Sequence, residues 1–533
     1  MLISPKQLSR FCLFIAFCFS VSATSSAEQA KEVSQYGITW KFDKPYTVGK
    51  FVTGDYWVVG PVTVVSVTPI PGPAPATEQA TAAKSRYGAK ALNDDKRMRN
   101  GSMIVSGRDF DADKLGTGFG SQGYDSRGLS YAPKRSVVFP YQLPVNRTLI
   151  STISSETYGA DGKPSSPYVL DGLGLLFCTP TIPSVMRTAA VLTCLDKAPP
   201  ADAFRPPYVG TEKPIYQLKD LRWELLPKLK PIASTPDWAK MERVFERPWL
   251  DHFDSWGYMF CIPSENQPGY GREVARMNSI ASLMLMLDVP REKKQKLLIE
   301  YVQQGIDLHG LAVCGRNWIS EDGGHWIGRK WPILFASVML NNEGLRTFPA
   351  VDMSVPVFSR YKITPTIGGP APTGLFCEDT NTYYGKGGDG QAVLGQTTFH
   401  MVPHPSFEEK QQSQFDEEEK RLNAYRLQNA ESWNGEALAA LLMKAKAIWN
   451  HDAYFDYVDR MMGPNPASDF PKFLPRGCAR SLDLFTEEMW KEYRKSVPEQ
   501  PGGKDNLKWV WNADKLGGHF EANPKPGTAQ PAK

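Results

Sequence analysis

The sequence has few of the residues that usually build metal sites. Its 533 residues include eight cysteines and seven histidines, and no two cysteines form a Cys-x-x-Cys pair. That absence argues against a zinc site made from cysteines. His400 and His404 have the spacing of a helical metal site, but Pro403 and Pro405 oppose a helix there. We therefore predict that the protein uses no metal and no other cofactor.

A large excess of one charge is also missing. Lys and Arg together number 61 and Asp and Glu 57, which gives a formal net charge of +4. A nearly neutral chain has no long-range field to attract nucleic acid or an anionic membrane. Beyond the first 23 residues, no apolar run approaches the length of a transmembrane helix. We predict neither a nucleic-acid partner nor a membrane span.

The start of the chain has the pattern of an export signal. Lys6 and Arg10 precede an almost unbroken apolar run at 11–19, and Val21-Ser22-Ala23 offers a cleavage site of small residues. We predict that residues 1–23 are a signal peptide and that the mature protein is secreted or periplasmic. Six cysteines would remain in that oxidising environment, and their spacing does not fix which of them pair.

Residues 37–200 are predicted to form a β-rich domain. Val, Thr, Tyr and Trp are concentrated in short runs separated by turn residues, and no long helical period is present. The predicted strands lie at 37–40, 56–68, 103–105, 136–141, 148–154, 173–179 and 189–195. This pattern is typical of a β-sandwich-like domain. We predict a linker at 201–234.

From residue 235 the apolar residues follow a helical period. Thr235 before Pro236 predicts a helix start. The predicted helices lie at 273–288, 293–309, 330–341, 433–449, 454–462 and 485–494, and a charged helix or lid at 408–421. We predict an α/α toroid at 235–500 and a C-terminal extension with a disordered tail at 501–533. The fold class is therefore α+β, a β-sandwich-like domain followed by an α/α toroid.

The most informative segment is the glycine-rich loop at 321–332, between two predicted helices. It carries one of the few histidines, His325, together with Trp326, Arg329 and Lys330. Glycines let a backbone turn tightly and approach a ligand, and loops held by rigid elements often carry binding groups. We interpret the loop as functional. The alternative is a buried network of Trp, His and Arg that joins two core helices.

Three other loops supply further candidates, at 249–272, 378–389 and 433–454, and helical hairpins can gather such loops at one end. The predicted catalytic residues are His325, Tyr270, His252 and Asn266. The predicted substrate-binding residues are Arg329, Lys330, Trp326, Asn317, Arg272, Tyr383, Tyr384 and Trp433. Each has a structural alternative, as a packing aromatic, a turn residue or half of an internal ion pair.

These residue types suit β-elimination at a uronic acid. Asn, His or Arg can neutralise the sugar carboxylate, so that the C5 proton becomes acidic and a Tyr or His can remove it. Arg is suited to hold a carboxylate through two parallel hydrogen bonds. The predicted partner is therefore a polysaccharide or oligosaccharide that contains uronic acid.

Two segments resemble stretches of large secreted bacterial proteins, namely GHWIGRKWPILFA at 324–336 and WNHDAYFDYVDR at 449–460. We associate this group with α/α-toroid polysaccharide lyases of the alginate- and glucuronan-degrading kind. The resemblance covers 235–462 and leaves out the β-rich part. It implies a metal-independent elimination with a Tyr or His base.

Two other functions remain open. A glycoside hydrolase of the same architecture would need two carboxylates about 5–10 Å apart, and Glu265, Asp322, Glu378 and Asp379 are candidates. A glycan-binding protein would need only aromatic loops. Convergence of His325, Arg329, Asn266 and Tyr270 would favour an enzyme, whereas a wall of Trp without convergent acid and base groups would favour a binding protein.

Overall fold

The structure is a computed structural model of the chain. It describes residues 27–72, 98–107, 121–128, 131–155, 184–253, 261–316, 318, 324–349, 374, 376–385, 392–394, 429–463, 482–503, 506–512, 517–523 and 525. The predicted signal peptide, the predicted strand at 173–179, the charged segment at 408–421, Asn317 and Asp322 lie outside the described residues.

The first part of the chain forms one curled, eight-stranded sheet. Its strands are β1 (Glu28–Gln35), β2 (Ile38–Lys50), β3 (Tyr56–Val59), β4 (Val62–Thr68), β5 (Ser102–Met103), β6 (Tyr141–Leu143), β7 (Arg147–Ser154) and β8 (Met186–Leu195). Their order is β5-β7-β8-β3-β2-β4-β6, with β1 paired to β2. Strands β3 and β8 run parallel, whereas β7 and β8 run antiparallel.

Strand β2 is shared among three neighbours. One edge pairs with β1, and the other pairs with β4 at residues 39–42 and with β3 at residues 48–50. The valines of β4 show why this segment is a strand, because Val62 and Val64 are fully buried while Val65 is 37% exposed. β-branched side chains with one buried face suit a pleated sheet.

The second part is mainly helical. Its helices are α1 (Trp238–Phe245), α2 (Gly271–Leu285), α3 (Arg291–Val313), α4 (Lys330–Met339), α5 (Cys377–Asn381), α6 (Asn434–Leu442), α7 (Lys446–Trp449), α8 (Asp452–Met461) and α9 (Leu484–Tyr493). Two antiparallel strand pairs accompany them, β9 (Thr382–Tyr384) with β10 (Ala392–Leu394) and β11 (Leu507–Asn512) with β12 (Gly517–Ala522). Among the described helices, none combines the length and the apolar character that crossing a bilayer requires.

The predicted change from strands to helices is confirmed, and so is a mixed α and β composition. Two local predictions of helix bounds were wrong. The first of these helices is capped by the side chain of Asp237, which accepts from the backbone N–H of Lys240, and not by Thr235. The single helix predicted at 433–449 is two helices, since Lys444 between them has a φ of +57°.

Two strand predictions also differ from the structure. The strand predicted at 136–141 begins only at Tyr141, because Pro140 has no N–H for a ladder hydrogen bond. Strand β1 was not predicted, since its sequence EQAKEVSQ is polar and mostly exposed. It is held by backbone pairing to β2 rather than by burial of an apolar face.

The sheet and the helices share the largest hydrophobic core. Neighbouring residues of a strand point to opposite faces, and Ile150 and Val191 lie in the core that contains helical residues such as Ile280. Leu149 and Leu192 lie in a second core on the other face of the sheet. The described strands of this part form one sheet, so the β-sandwich-like arrangement is not confirmed. The circular helix order of a toroid is not confirmed either and stays a prediction.

The span predicted as a linker, 201–234, contributes a buried ion-pair network. Arg205 is 1% exposed, and its Nε donates to Asp55 over 2.7 Å. Its Nη1 donates to Asp307 of α3 over 2.9 Å. A turn of the sheet, the connecting span and a central helix are therefore joined by one guanidinium.

The C-terminal extension returns to the helical part. The backbone N–H of Tyr384 donates to Asn523 Oδ1 over 2.6 Å, and Asn523 Nδ2 donates back to the Tyr384 carbonyl over 3.2 Å. Lys525 forms an ion pair of 2.8 Å with Asp456 of α8. Asn523 and Lys525 of the predicted C-terminal extension are therefore anchored to the helical part, and residues 526–533 of the predicted tail lie outside the described residues.

Candidate functional site

The loop before α4 is packed against the start of α2. A side-chain carbon at Gly271 would collide with the backbone oxygens of Gly324 and His325, and one at Gly328 would collide with the backbone of Ala275. Gly328 also has a φ of +88°, which residues with side chains rarely adopt. Glycine at these positions permits the contact that places His325 beside the N-terminal end of α2.

His325 and Tyr270 form the centre of the site. Their ring centroids are 4.4 Å apart, with the ring planes at 59°. Tyr270 directly precedes α2, and the two side chains are only 6% and 4% exposed. The Tyr270 hydroxyl has no hydrogen-bond partner among the described residues. Because a buried polar group without a partner costs about 1–3 kcal/mol, this hydroxyl is the strongest candidate for contact with a ligand.

Buried arginines give the site a positive character. The Arg272 guanidinium lies 5.2 Å from the centre of the Tyr270 ring, and its Nε donates to Glu273 over 2.9 Å. Glu273 also lies 3.6 Å from Arg276. Two buried arginines therefore contact the same carboxylate beside Tyr270.

His325 is neutral at physiological pH. Its burial and the charges of Arg329 and Arg272 lower its pKa to about 3. A neutral imidazole has one nitrogen that accepts a hydrogen bond and one that donates. His325 can therefore exchange a hydrogen bond with Tyr270 or with a bound carboxylate without adding charge to the site.

We expect the buried histidines to make the protein sensitive to acid. Burial and the charges of Arg316 and Arg135 lower the pKa of His252 to about 3, as for His325. In the unfolded chain both histidines take up protons near their ordinary pKa of 6.5. Stability should fall between about pH 6.5 and 3, at about 1.4 kcal/mol per pH unit for each histidine. Urea unfolding of wild type, His252→Phe and His325→Gln at several pH values would measure this slope. Equal slopes in all three proteins would contradict it.

Arg329 and Lys330 are held inside the protein by ion pairs. Arg329 forms a bidentate ion pair with Asp251, at 2.9 and 3.0 Å, and its Nη1 donates to the His325 and Ile327 carbonyls. Lys330 donates to both oxygens of Asp379 over 2.9 and 2.8 Å. Because their buried donors already have internal acceptors, the structural alternative is favoured for both residues, and their substrate-binding roles stay predictions.

His252 and Asn266 do not join His325 either. His252 is fully buried, stacked on Phe253 at 4.3 Å and packed edge-on against Tyr124 and Tyr208. Asn266 donates through Nδ2 to the Arg247 carbonyl over 3.1 Å and so fixes a turn. These contacts favour the structural alternative for both residues, and their catalytic roles stay predictions.

The predicted aromatic binding residues are packing residues. Trp433 is buried against Tyr454, and Tyr384 donates through its hydroxyl to Asp456 over 2.8 Å. Tyr383 is buried in β9. Trp326 is buried beneath the Arg316 guanidinium, 4.3 Å from the ring centre. Of the predicted residues, the structure thus brings together His325, Tyr270 and Arg272.

No protein-family model, curated protein or solved structure matches the chain. The argument for a function therefore depends on the geometry of this site. In the part of the chain that the structure describes, no group of three or more His, Cys, Asp and Glu side chains has the arrangement of a metal site.

Two buried glutamates, Glu378 and Glu436, form a second group of interest, and the sequence analysis named only Glu378 as a candidate. Glu378 of α5 and Glu436 of α6 are fully buried, and neither oxygen of Glu436 has a hydrogen-bond partner among the described residues. Burial and then the charge of Glu378 raise the pKa of Glu436 well above its ordinary value. Of the other hydrolase candidates, Asp379 pairs with Lys330, and Glu265 is bound by three arginines, Arg187, Arg243 and Arg247. Glu436 lies inside an apolar helix pattern, and only its charge there could have revealed it.

Replacement of Glu378 with glutamine should change how stability depends on pH. Burial raises the pKa of Glu378 to about 7, whereas the unfolded chain ionises near 4.5. The wild type should lose stability as the pH rises from about 4.5 to 7, because the folded state binds the extra proton. Relative to wild type, Glu378→Gln should gain about 2 kcal/mol over that range. The amide oxygen can still accept from the Gly328 N–H, as the carboxylate does. Urea unfolding at both ends of the range tests this, and a constant difference would contradict it.

Proposed function

We propose that the protein is an exported polysaccharide lyase that cleaves a uronic acid polymer by metal-independent β-elimination. The observation that carries the proposal is the buried cluster of Tyr270, His325 and Arg272. It combines a hydroxyl that has no hydrogen-bond partner among the described residues with a neutral imidazole and a guanidinium, both next to the Tyr270 ring. An α/α toroid of the helices and secretion through the predicted signal peptide are part of the same proposal.

The chemistry assigns one role to each side chain. Arg272 neutralises the sugar carboxylate, so that the C5 proton becomes acidic, and Tyr270 acts as the base in its phenolate form. The phenolate removes the C5 proton, and that electron pair forms the C4=C5 double bond while the C4–O bond breaks. The phenol then returns its proton to the leaving oxygen. His325 orients the phenol and accepts or donates a hydrogen bond while it stays neutral.

The proposal is tested with the purified mature protein and a panel of alginate, glucuronan, pectate and glycosaminoglycans. Elimination is followed by the ultraviolet absorbance of the new double bond, which is conjugated with the carboxylate. The expected result is a rise in absorbance on one class of polymer, lost in His325→Ala. A lack of absorbance on all of them, with no new reducing ends, would reject catalysis on these substrates and favour glycan binding.

A second candidate, glycoside hydrolysis, is favoured by the Glu378 and Glu436 pair. Hydrolysis needs one protonated and one ionised carboxyl group, and two neighbouring buried carboxyl groups with raised pKa values can provide that state. Glu378 has a raised pKa and lies near enough for its charge to act on Glu436. New reducing ends without the ultraviolet signal, lost in Glu436→Gln but not in Tyr270→Phe, would move the assignment to hydrolysis.

A further inference from the structure

Asn429 has a buried side-chain amide without an internal partner. The residue is 4% exposed, and neither Oδ1 nor Nδ2 has a hydrogen-bond partner among the described residues. The other buried asparagines that the structure describes each pair at least one amide atom. Buried polar groups are nearly always paired, because an unpaired one destabilises the fold. This amide therefore points to a partner from outside the chain.

The amide lies against the loop that carries His325. A side-chain carbon at Gly324 would collide with the Asn429 amide, and one at Gly271 would collide with the Gly324 oxygen. His325 follows Gly324, and Tyr270 precedes Gly271. The amide therefore belongs to the same junction as the Tyr270 hydroxyl, which also has no described partner.

Two serine hydroxyls fix the backbone at Asn429. Ser432 donates through Oγ to the Asn429 carbonyl over 2.6 Å, and Ser279 of α2 donates through Oγ to the Ser432 carbonyl over 2.9 Å. The segment before α6 is thus attached to the helix that carries Tyr270 at its start. Because the amide is held in place in the free protein, a ligand pays little entropy to order it.

The amide needs a partner that both donates and accepts hydrogen bonds. An Asn Oδ1 accepts, whereas Nδ2 donates. A carboxylate only accepts, so it would leave Oδ1 unpaired, whereas a hydroxyl can do both. An Asn side chain pairs most fully with a donor and an acceptor that lie side by side. Two neighbouring hydroxyls of a sugar ring provide that arrangement.

We propose that Asn429 binds the C2 and C3 hydroxyls of the uronic acid whose carboxylate Arg272 neutralises, and that it selects uronates in which both hydroxyls are free. The inference rests on the proposed lyase function, which supplies the sugar. A uronate linked through C1 and C4 keeps its two remaining hydroxyls next to each other, on C2 and C3. Acetylation or sulfation of these oxygens removes their O–H donors and leaves Oδ1 of Asn429 unpaired.

Binding by the Tyr270→Phe protein tests this inference, because that variant should bind the polymer but cleave it slowly. The probes are alginate, glucuronan and pectate, each with free and with O-acetylated hydroxyls, and isothermal titration calorimetry measures the affinity. Addition of Asn429→Ala should weaken binding of the free form about tenfold, as the loss of two hydrogen bonds predicts. The acetylated form should bind about tenfold more weakly, and Asn429→Ala should not weaken it further.

Asn506→Ala is the matched control. Asn506 is 5% exposed, but its Oδ1 accepts from the backbone N–H of Ala453 over 3.0 Å. Asn506→Ala should lower the melting temperature and leave binding unchanged. Asn429→Ala should weaken binding without lowering the melting temperature, because its amide has no internal hydrogen bond to lose. Equal losses of melting temperature in the two variants, or equal binding with and without the Asn429 amide, would overturn the proposal.

The same measurements separate this inference from the proposed lyase function. Weaker binding in Asn429→Ala, with no ultraviolet signal from wild type on any polymer, would support the sugar contact and reject elimination. An ultraviolet signal from wild type, with unchanged binding and unchanged rate in Asn429→Ala, would keep elimination and overturn the contact. Binding to none of the probes would also overturn the contact.

Discussion

Replacement of Tyr270 with phenylalanine should reduce elimination by a factor of about 10²–10⁴, the usual contribution of a positioned acid or base. The hydroxyl is the atom that we assign to both proton transfers, and it has no described hydrogen-bond partner that its loss would disturb. The ring stays in contact with His325 and Arg272, so the fold should be retained. Initial rates on the polymer identified in the screen, at saturating and low substrate concentration, measure the effect.

Tyr384→Phe is the matched control for that experiment. It also removes one buried tyrosine hydroxyl, but that hydroxyl donates to Asp456 over 2.8 Å and lies in a structural contact. Activity should survive in Tyr384→Phe even if stability falls. If Tyr270→Phe retains full activity, or if both variants lose it equally, the assignment of Tyr270 as the acid and base is wrong.

Arg205→Met should cause a large loss in the free energy of unfolding. This change leaves the buried carboxylates of Asp55 and Asp307 without their shared cation. Loss of one member of a buried ion pair typically costs about 3–5 kcal/mol, because the remaining charge stays out of water. Urea unfolding at neutral pH measures the loss. A free energy of unfolding within about 1 kcal/mol of wild type would show that the network contributes little.

Arg222→Met provides the comparison for this loss. Arg222 pairs with Glu224 over 3.2 Å, but the two side chains are 41% and 67% exposed. Exposed pairs contribute about 0–1 kcal/mol, since water screens the charges. The two variants remove the same type of side chain, so a difference between them reports on burial.

The sequence predicted secondary structure best where burial follows a regular period. Helices α2, α3, α4 and α9 were predicted because one or more faces are apolar and long enough to show the 3.6-residue repeat. Strand β1 was missed because backbone pairing, which has no sequence pattern, holds it. The number of sheets and the spatial order of the helices depend on contacts between segments that are distant in the sequence. No local sequence pattern predicts such contacts.

The sequence predicted which loop forms part of the candidate site, but it did not predict which side chains meet there. The glycine loop does place His325 at a junction, since Gly271 and Gly328 allow the backbones to touch. Which carboxylate each arginine contacts could not be predicted, because some of the partners lie far away in the sequence. Arg329 is paired with Asp251, 78 residues away, whereas Arg272 shares its carboxylate with Arg276.

The shared core limits how the protein can be divided. Ile150 and Val191 of the sheet pack in the same core as Met241 and Ile280 of the helices. A fragment beginning at residue 235 would keep all the described α-helices but expose the apolar surface that the sheet covers, which costs about 25 cal/mol for each Å². Such a fragment should aggregate when expressed alone. The point at which strands give way to helices along the sequence is therefore a poor choice for the boundary of an expressed fragment.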